Sequence, residues 1–325
     1  MQRWHTLAAY YNRHCGSRVQ KIPLDAGASC PNRDGTLSSS GCTFCNDRGS
    51  GSGRAKRGDS LLQQWDCLRA TYLQDDPNTR FVAYLQSFSN TYGAQKRLQQ
   101  LLQTVCNLPD CFGIAVGTRP DCLDAEKIDL LAALDCDFWL ELGLQTAHNA
   151  TLARINRGHK AADSEKAVRM LAARGIAVCA HLMAGLPGED ERHFLQSLDW
   201  ALSLPIRGLK IHNVYVPRGT ELARQHAAGQ YHPLWRDEYV DLLCAALPRI
   251  PSSIVIHRLQ SDPVRGELLA PTWASDKRGL LGDLRRALGA RDLWQGKACD
   301  CPQECPAFFA GAGGASSTRT LSRTE

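Results

Sequence analysis

The sequence predicts an α/β fold built on a parallel sheet, and three observations predict it. Apolar strand-like runs alternate with helical runs along most of the 325 residues. The runs FGIAV and FWLEL are mostly apolar rather than cleanly alternating, which is the pattern of parallel strands covered by helices. Strand starts recur near residues 21, 81, 112, 138, 176 and 208. Apart from the long first unit, that spacing is the length of one strand–helix repeat. Six such units are too few to close an eight-stranded barrel.

Taken in order, a short strand over 21–25 is followed by a helix over 59–75, with Asp59 or Ser60 as N-cap. A strand over 81–88 comes next. Leu98, Leu101, Leu102 and Val105 then fall on one helical stripe. Strands over 112–117, 138–144, 176–184 and 208–216 alternate with helices over 124–134, 163–174 and 189–204. The run IVIHRL at 254–259 reads as a seventh strand and 276–289 as a helix. The expected organisation is a core over 1–250 that includes an N-terminal helix, a small α/β extension over 251–309, and a tail over 310–325. That tail has almost no large apolar residue and should be disordered.

A hydrophobic fraction of 43% is that of an ordinary globular protein, and no apolar run has membrane-spanning length. The start MQRWHTLAAYYNRHCG has no apolar core of the signal-peptide kind, so a cytoplasmic protein with no membrane partner is expected. Fourteen cysteines are far below the density of a disulfide scaffold. Cys67, Cys106, Cys179 and Cys244 lie in apolar periodic runs and read as small hydrophobes. The formal charge of +5 permits a phosphate-bearing substrate without demanding one.

Cys30, Cys42 and Cys45 stand together in CPNRDGTLSSSGCTFC. Three thiolates on a 4Fe-4S cluster leave one iron with an open position, and open positions are where metal sites do chemistry. The intervening loop is rich in Gly, Ser, Asn and Asp and can bend around a bulky core. Phe44 adds an aromatic face beside it. The C-x2-C pair also fits half a zinc site, with Cys15 or His14 as a further ligand, or a redox dithiol. The strands and Gly-rich corners that follow suit a cofactor barrel better than a zinc ribbon.

This triad, placed after a first strand, resembles the radical S-adenosylmethionine (SAM) superfamily. The first spacing is usually shorter there; here eleven residues separate Cys30 from Cys42. That departure resembles the branch containing the Elongator catalytic subunit, and more closely the YhcC-like proteins. Those carry GTRPDCL, LELGLQTAH, INRGH and HLMAGLPGE in the order found here. The resemblance implies a partial (β/α)6 TIM-like barrel, a 4Fe-4S cluster on Cys30, Cys42 and Cys45, and SAM chelating the open iron.

It also implies contacts to SAM at the strand ends, where working residues of parallel barrels collect. Ser89 and Asn90 would lie against the methionine amino group, with Thr118 on the next turn. Gln145 would meet the ribose, Arg157 the carboxylate and His181 the ribose, while Gly185 opens a corner near the adenine. Glu141 is a charge inside an apolar run and needs a partner or a polar ligand; two residues from Gly143 and four from Gln145, it shares their lumen side. Arg119 could hold a carboxylate or phosphate with its forked donors, and Arg154 and His159 could contact substrate.

The implied activity is reductive cleavage of SAM to a 5′-deoxyadenosyl radical that acts on an unidentified substrate. A reductant of flavodoxin or ferredoxin type is the implied partner. RNA is one candidate substrate, because Elongator-type enzymes act on tRNA and Arg54, Lys56 and Arg57 could touch phosphates. A small metabolite or a protein side chain is another. The competing expectation is a non-catalytic iron–sulfur or zinc-binding protein. A second set, Cys299, Cys301 and Cys305, could hold a further metal, with Pro302 and Pro306 keeping its loop out of a helix.

Overall fold

The computed structural model describes residues 2–46, 49, 53–264 and 266–299. Cys301, Cys305 and the tail over 310–325 lie outside the described residues. The first helix α1 (Leu7–Cys15) leads into β1 (Val19–Leu24), and after the cysteine loop come α2 (Leu61–Asp75), β2 (Arg80–Leu85), α3 (Gln95–Cys106) and β3 (Cys111–Thr118). The series continues with α4 (Ala125–Ala132), β4 (Asp137–Gln145), α5 (Asn149–Arg154), α6 (Ala161–Ala172), β5 (Ala177–Ala184), α7 (Glu191–Leu202) and β6 (Gly208–Asn213). It ends with β7 (Val216–Pro217), α8 (Glu221–Ala227), α9 (Arg236–Ala246), β8 (Val255–Arg258), β9 (Leu268–Ala270) and α10 (Lys277–Ala290).

Seven parallel strands form one sheet in the order β1-β2-β3-β4-β5-β6-β8. The sheet curls so far that Lys21 on β1 and His257 on β8 approach to 3.4 Å across the open side. This is the expected partial barrel, with one strand more than six. The seventh strand, expected in an extension, pairs directly with β6. The predicted strand over 208–216 instead breaks after Asn213. There Ser261 donates its backbone N–H to Asn213 Oδ1 at 2.8 Å and its hydroxyl to the Asn213 carbonyl at 2.7 Å. The chain leaves the sheet, and β7 pairs antiparallel with β9.

Local chemistry accounts for the helices. Ser60 caps α2 in a capping box with Gln63, and Asp124 caps α4. The stripe Leu98, Leu101, Leu102 and Val105 is buried against the sheet. Across the amino end of the barrel lies α1, whose Tyr11 packs with Val82, Ala115, Trp139, Cys179 and Val255 inside the lumen. Tyr11 donates its hydroxyl to Asp137 at 2.7 Å, so the plug is held by a polar bond as well as by apolar burial.

Candidate active site

The loop after β1 is built to present sulfur. The Cys45 N–H bonds the Cys42 carbonyl at 2.9 Å, and Gly41 N–H bonds Asn32 at 2.7 Å. The run after α5 clamps this loop. Thr43 N–H donates to the Ile155 carbonyl at 3.1 Å, and Asn156 Nδ2 donates to the Gly41 carbonyl at 2.7 Å. Gly158 adopts φ +77°, and a Cβ there would lie 2.4 Å from Asn32 Oδ1.

Cys30, Cys42, Phe44, Cys45, Thr118, Glu141, Gln145, Arg157 and His181 all line one cavity of about 270 Å³ at the carboxyl ends of the strands. Donors stand beside two of the sulfurs: Arg119 Nη1 is 3.9 Å from Cys30, and Arg157 Nη1 and Asn32 Nδ2 are 3.7 and 3.6 Å from Cys42, while the Cys45 thiol lies 3.7 Å from the Asn46 carbonyl. Burial, and then the neighbouring Cys42, pushes the Cys45 thiol up to about 12. A bound cation would reverse that balance. Among the described residues no three His, Cys, Asp or Glu side chains gather closely enough for a single metal ion. A cuboidal cluster puts each thiolate on its own iron, so it takes a wider triangle. Three cysteines lining one cavity, with N–H donors aimed at the Cys30 and Cys42 sulfurs, fit such a cluster.

Arg157 and Gln145 share the space above Gly143. Arg157 Nη2 donates to the Gly143 carbonyl at 2.9 Å, while its Nε is buried with no hydrogen-bond partner among the described residues. A Cβ on Gly143 would fall 2.5 Å from Gln145 Nε2 and 2.6 Å from Arg157 Nη2. The β4–β5 register shifts at this point, and Gln145 has φ 72°, which keeps its amide at the cavity. The unmet Nε and the amide fit a polar ligand such as SAM.

Glu141 has its partners already. Lys21 Nζ donates to Oε1 at 2.6 Å, Lys210 bonds Oε2, and His181 Nε2 lies 3.1 Å from Oε2. Burial opposes its charge, but Lys21 and Lys210, then His181 and His257, hold Glu141 well below the usual carboxylate range. Burial pushes Lys210 down to about 8 against the pull of Glu141. His181 falls to about 4 and His257 to about 3, again chiefly through burial. The charge seen in the sequence therefore organises the lumen floor.

Other expected residues sit behind the wall. Ser89 bonds Thr118 through their hydroxyls at 2.8 Å, and Asn90 Nδ2 donates to the carbonyls of Leu85, Ser87 and Gly117. Gly185 packs against Leu234, and its carbonyl accepts from Tyr231 at 2.7 Å. None of these three is among the cavity's lining residues. The fork of Arg119 is occupied by Asp121, at 2.9 and 2.7 Å. Arg154 donates to the Pro187 carbonyl at 2.9 Å, and His159 is buried beside Asp121. Lys21, Lys210, Tyr84 and Arg258 join this site although none belongs to a motif. A lysine at a lumen-facing position of an apolar strand was the available signal for Lys21 and Lys210, the same signal that drew attention to Glu141.

This curled parallel sheet with a three-cysteine loop over its carboxyl end defines a class. The chain belongs to the radical SAM superfamily: the model described as "Radical SAM superfamily" matches residues 38–201, and that of the "Radical_SAM C-terminal domain" matches 206–289. Within it the chain is 36% identical to YtqA of Bacillus subtilis over 91% of this chain and 92% of YtqA. It is 34% identical to YhcC of Escherichia coli K12 over 89% of this chain and 93% of YhcC. The fold is also that of Elp3 from the archaeon Methanocaldococcus infernus, with a TM-score of 0.66 at 18% identity, covering 85% of this chain and 64% of that one. A 4Fe-4S cluster and SAM are the cofactors of the family.

Proposed function

We propose that this chain is a radical SAM enzyme in which Cys30, Cys42 and Cys45 hold a 4Fe-4S cluster, SAM lies beside it against Arg157 and Gln145, and the substrate occupies the lumen. The observation that carries this reading is one cavity lined by the three sulfurs and by both polar side chains. When bound and reduced by one electron, the cluster and SAM together supply a 5′-deoxyadenosyl radical, the cofactors' own chemistry rather than the protein's.

The chain's residues do the rest. Arg157 ties the cluster loop to β4 and offers its remaining N–H to the cofactor carboxylate. Gln145 orients the ribose. The plug of Tyr11 and Trp139 closes the lumen to water from below, which protects a reactive intermediate. The electron comes from a reductant of flavodoxin or ferredoxin type, and a reducing cytoplasm suits this chemistry. Iron, sulfide and zinc analysis after anaerobic reconstitution, with equilibrium binding of SAM, tests the reading. Near four irons per chain with SAM binding supports it; zinc alone, or iron without SAM binding, supports the non-catalytic alternatives.

A further inference from the structure

We propose that the lumen binds an oxyanion of the substrate, a carboxylate or a phosphate, between Lys210, Arg258 and His212. This rests on the reading of the lumen as the substrate chamber and names what the substrate must carry.

The three side chains line the cavity from β6 and β8, at the edge of the sheet opposite β1 and its cysteine loop. Lys210 and Arg258 are Cα partners across those strands. The His212 ring lies 5.3 Å from that of His181, one strand further in. Cations outnumber carboxylates here. Lys21 and Lys210 share the single carboxylate of Glu141, with side chains 16%, 5% and 0% exposed. Arg258 bonds Asp262 at 3.0 Å, and Asp262 also takes Lys277 at 3.3 Å. Lys210 further stands 4.6 Å from the centre of the Tyr84 ring, a contact that steadies a cation without neutralising it.

The one positive charge by which Lys21 and Lys210 exceed Glu141 is buried and costly unless something offsets it, while Arg258 and Asp262, 34% and 44% exposed, stand nearer the mouth. An anion at this spot would complete the arrangement, with the Arg258 fork and the Lys210 ammonium as charged donors and His212 as a neutral one. The depth of Lys210, 4% exposed, argues for a small molecule. An RNA strand entering the lumen would lead with a base and leave its phosphates at the mouth.

Calorimetric titration of the reconstituted full-length chain with inorganic phosphate and with succinate, each with and without saturating SAM, tests this. The expected result is saturable binding of at least one probe that survives SAM and weakens tenfold or more in Arg258→Gln and in Lys210→Met. The tighter probe identifies the group. Should Lys210→Met fail to fold by circular dichroism, Arg258→Gln decides. No saturable binding, displacement of the probe by SAM, or unchanged binding in Arg258→Gln would overturn the proposal, as would binding of an RNA oligomer with neither probe retained. If the probe binds and SAM does not, the cofactor reading falls and the oxyanion site stands.

Discussion

Arg157 joins the cysteine loop to the barrel: its Nη1 stands 3.7 Å from the Cys42 sulfur while its Nη2 holds the Gly143 carbonyl at 2.9 Å. One guanidinium thus links Cys42, a proposed cluster ligand, to the strand that also carries Gln145. Arg157→Ala should weaken SAM binding about ten- to a hundredfold, the value of about 1.5–3 kcal/mol for a charged hydrogen bond. Cluster absorbance should persist. Equilibrium dialysis with SAM checks this, and wild-type affinity would remove Arg157 from the SAM site.

Single replacement of Cys30, Cys42 or Cys45 by Ala leaves two thiolates, too few for a stable cubane. Iron content and visible absorption should collapse in each variant while the circular dichroism of the barrel is kept. Retained iron in all three would place the cluster elsewhere.

Gly143→Ala puts a methyl group into space that Gln145 and Arg157 both occupy. We expect a loss of SAM affinity of at least tenfold with the cluster intact. Competition binding reads it directly, and an unaffected variant would show that neither side chain needs its present position.

Glu141→Gln removes the carboxylate shared by Lys21 and Lys210. Leaving buried charge without its partner should cost about 3–5 kcal/mol of stability. Urea denaturation measures the loss, and adding Lys210→Met should recover part of it.

Stability should fall as the solution becomes acidic. His159, His181 and His257 are held down to about 2, 4 and 3 by burial, so the folded chain keeps them neutral where the unfolded chain takes up protons. Each contributes stability that is present above the unfolded value of roughly 6.5 and is lost below it, by up to about 1.4 kcal/mol per pH unit. Glu141, held low in the fold, acts in the same direction at lower pH. Urea midpoints at pH 7 and pH 5 should separate clearly, and the gap should narrow in His181→Gln.

Much of the fold was legible because parallel strands carry it in short, apolar, regularly spaced runs. That Cys30, Cys42 and Cys45 share one loop is legible from their spacing, which also fits zinc or a dithiol; the choice of a cluster rests on the resemblance. What escaped the sequence depended on contacts between distant strands. The pairing of β8 with β6 joins strands separated in the chain by β7, α8 and α9. The partners of Glu141 come from β1, β5, β6 and β8, and no local pattern connects them. Ser89 and Asn90 stand in a turn of the expected kind, but the Ser89 hydroxyl braces Thr118 and the Asn90 Nδ2 braces the backbone around Gly117, away from the cavity lining. Gly185 is a tight corner, yet the group that crowds it is Leu234 from a segment far along the chain.

The most direct test of the central claim is product analysis after anaerobic reconstitution and dithionite reduction in the presence of SAM. The account predicts 5′-deoxyadenosine and methionine in equal amounts, lost in the Cys42→Ala chain. A fully loaded 4Fe-4S protein that binds SAM and releases no 5′-deoxyadenosine under reduction would contradict it.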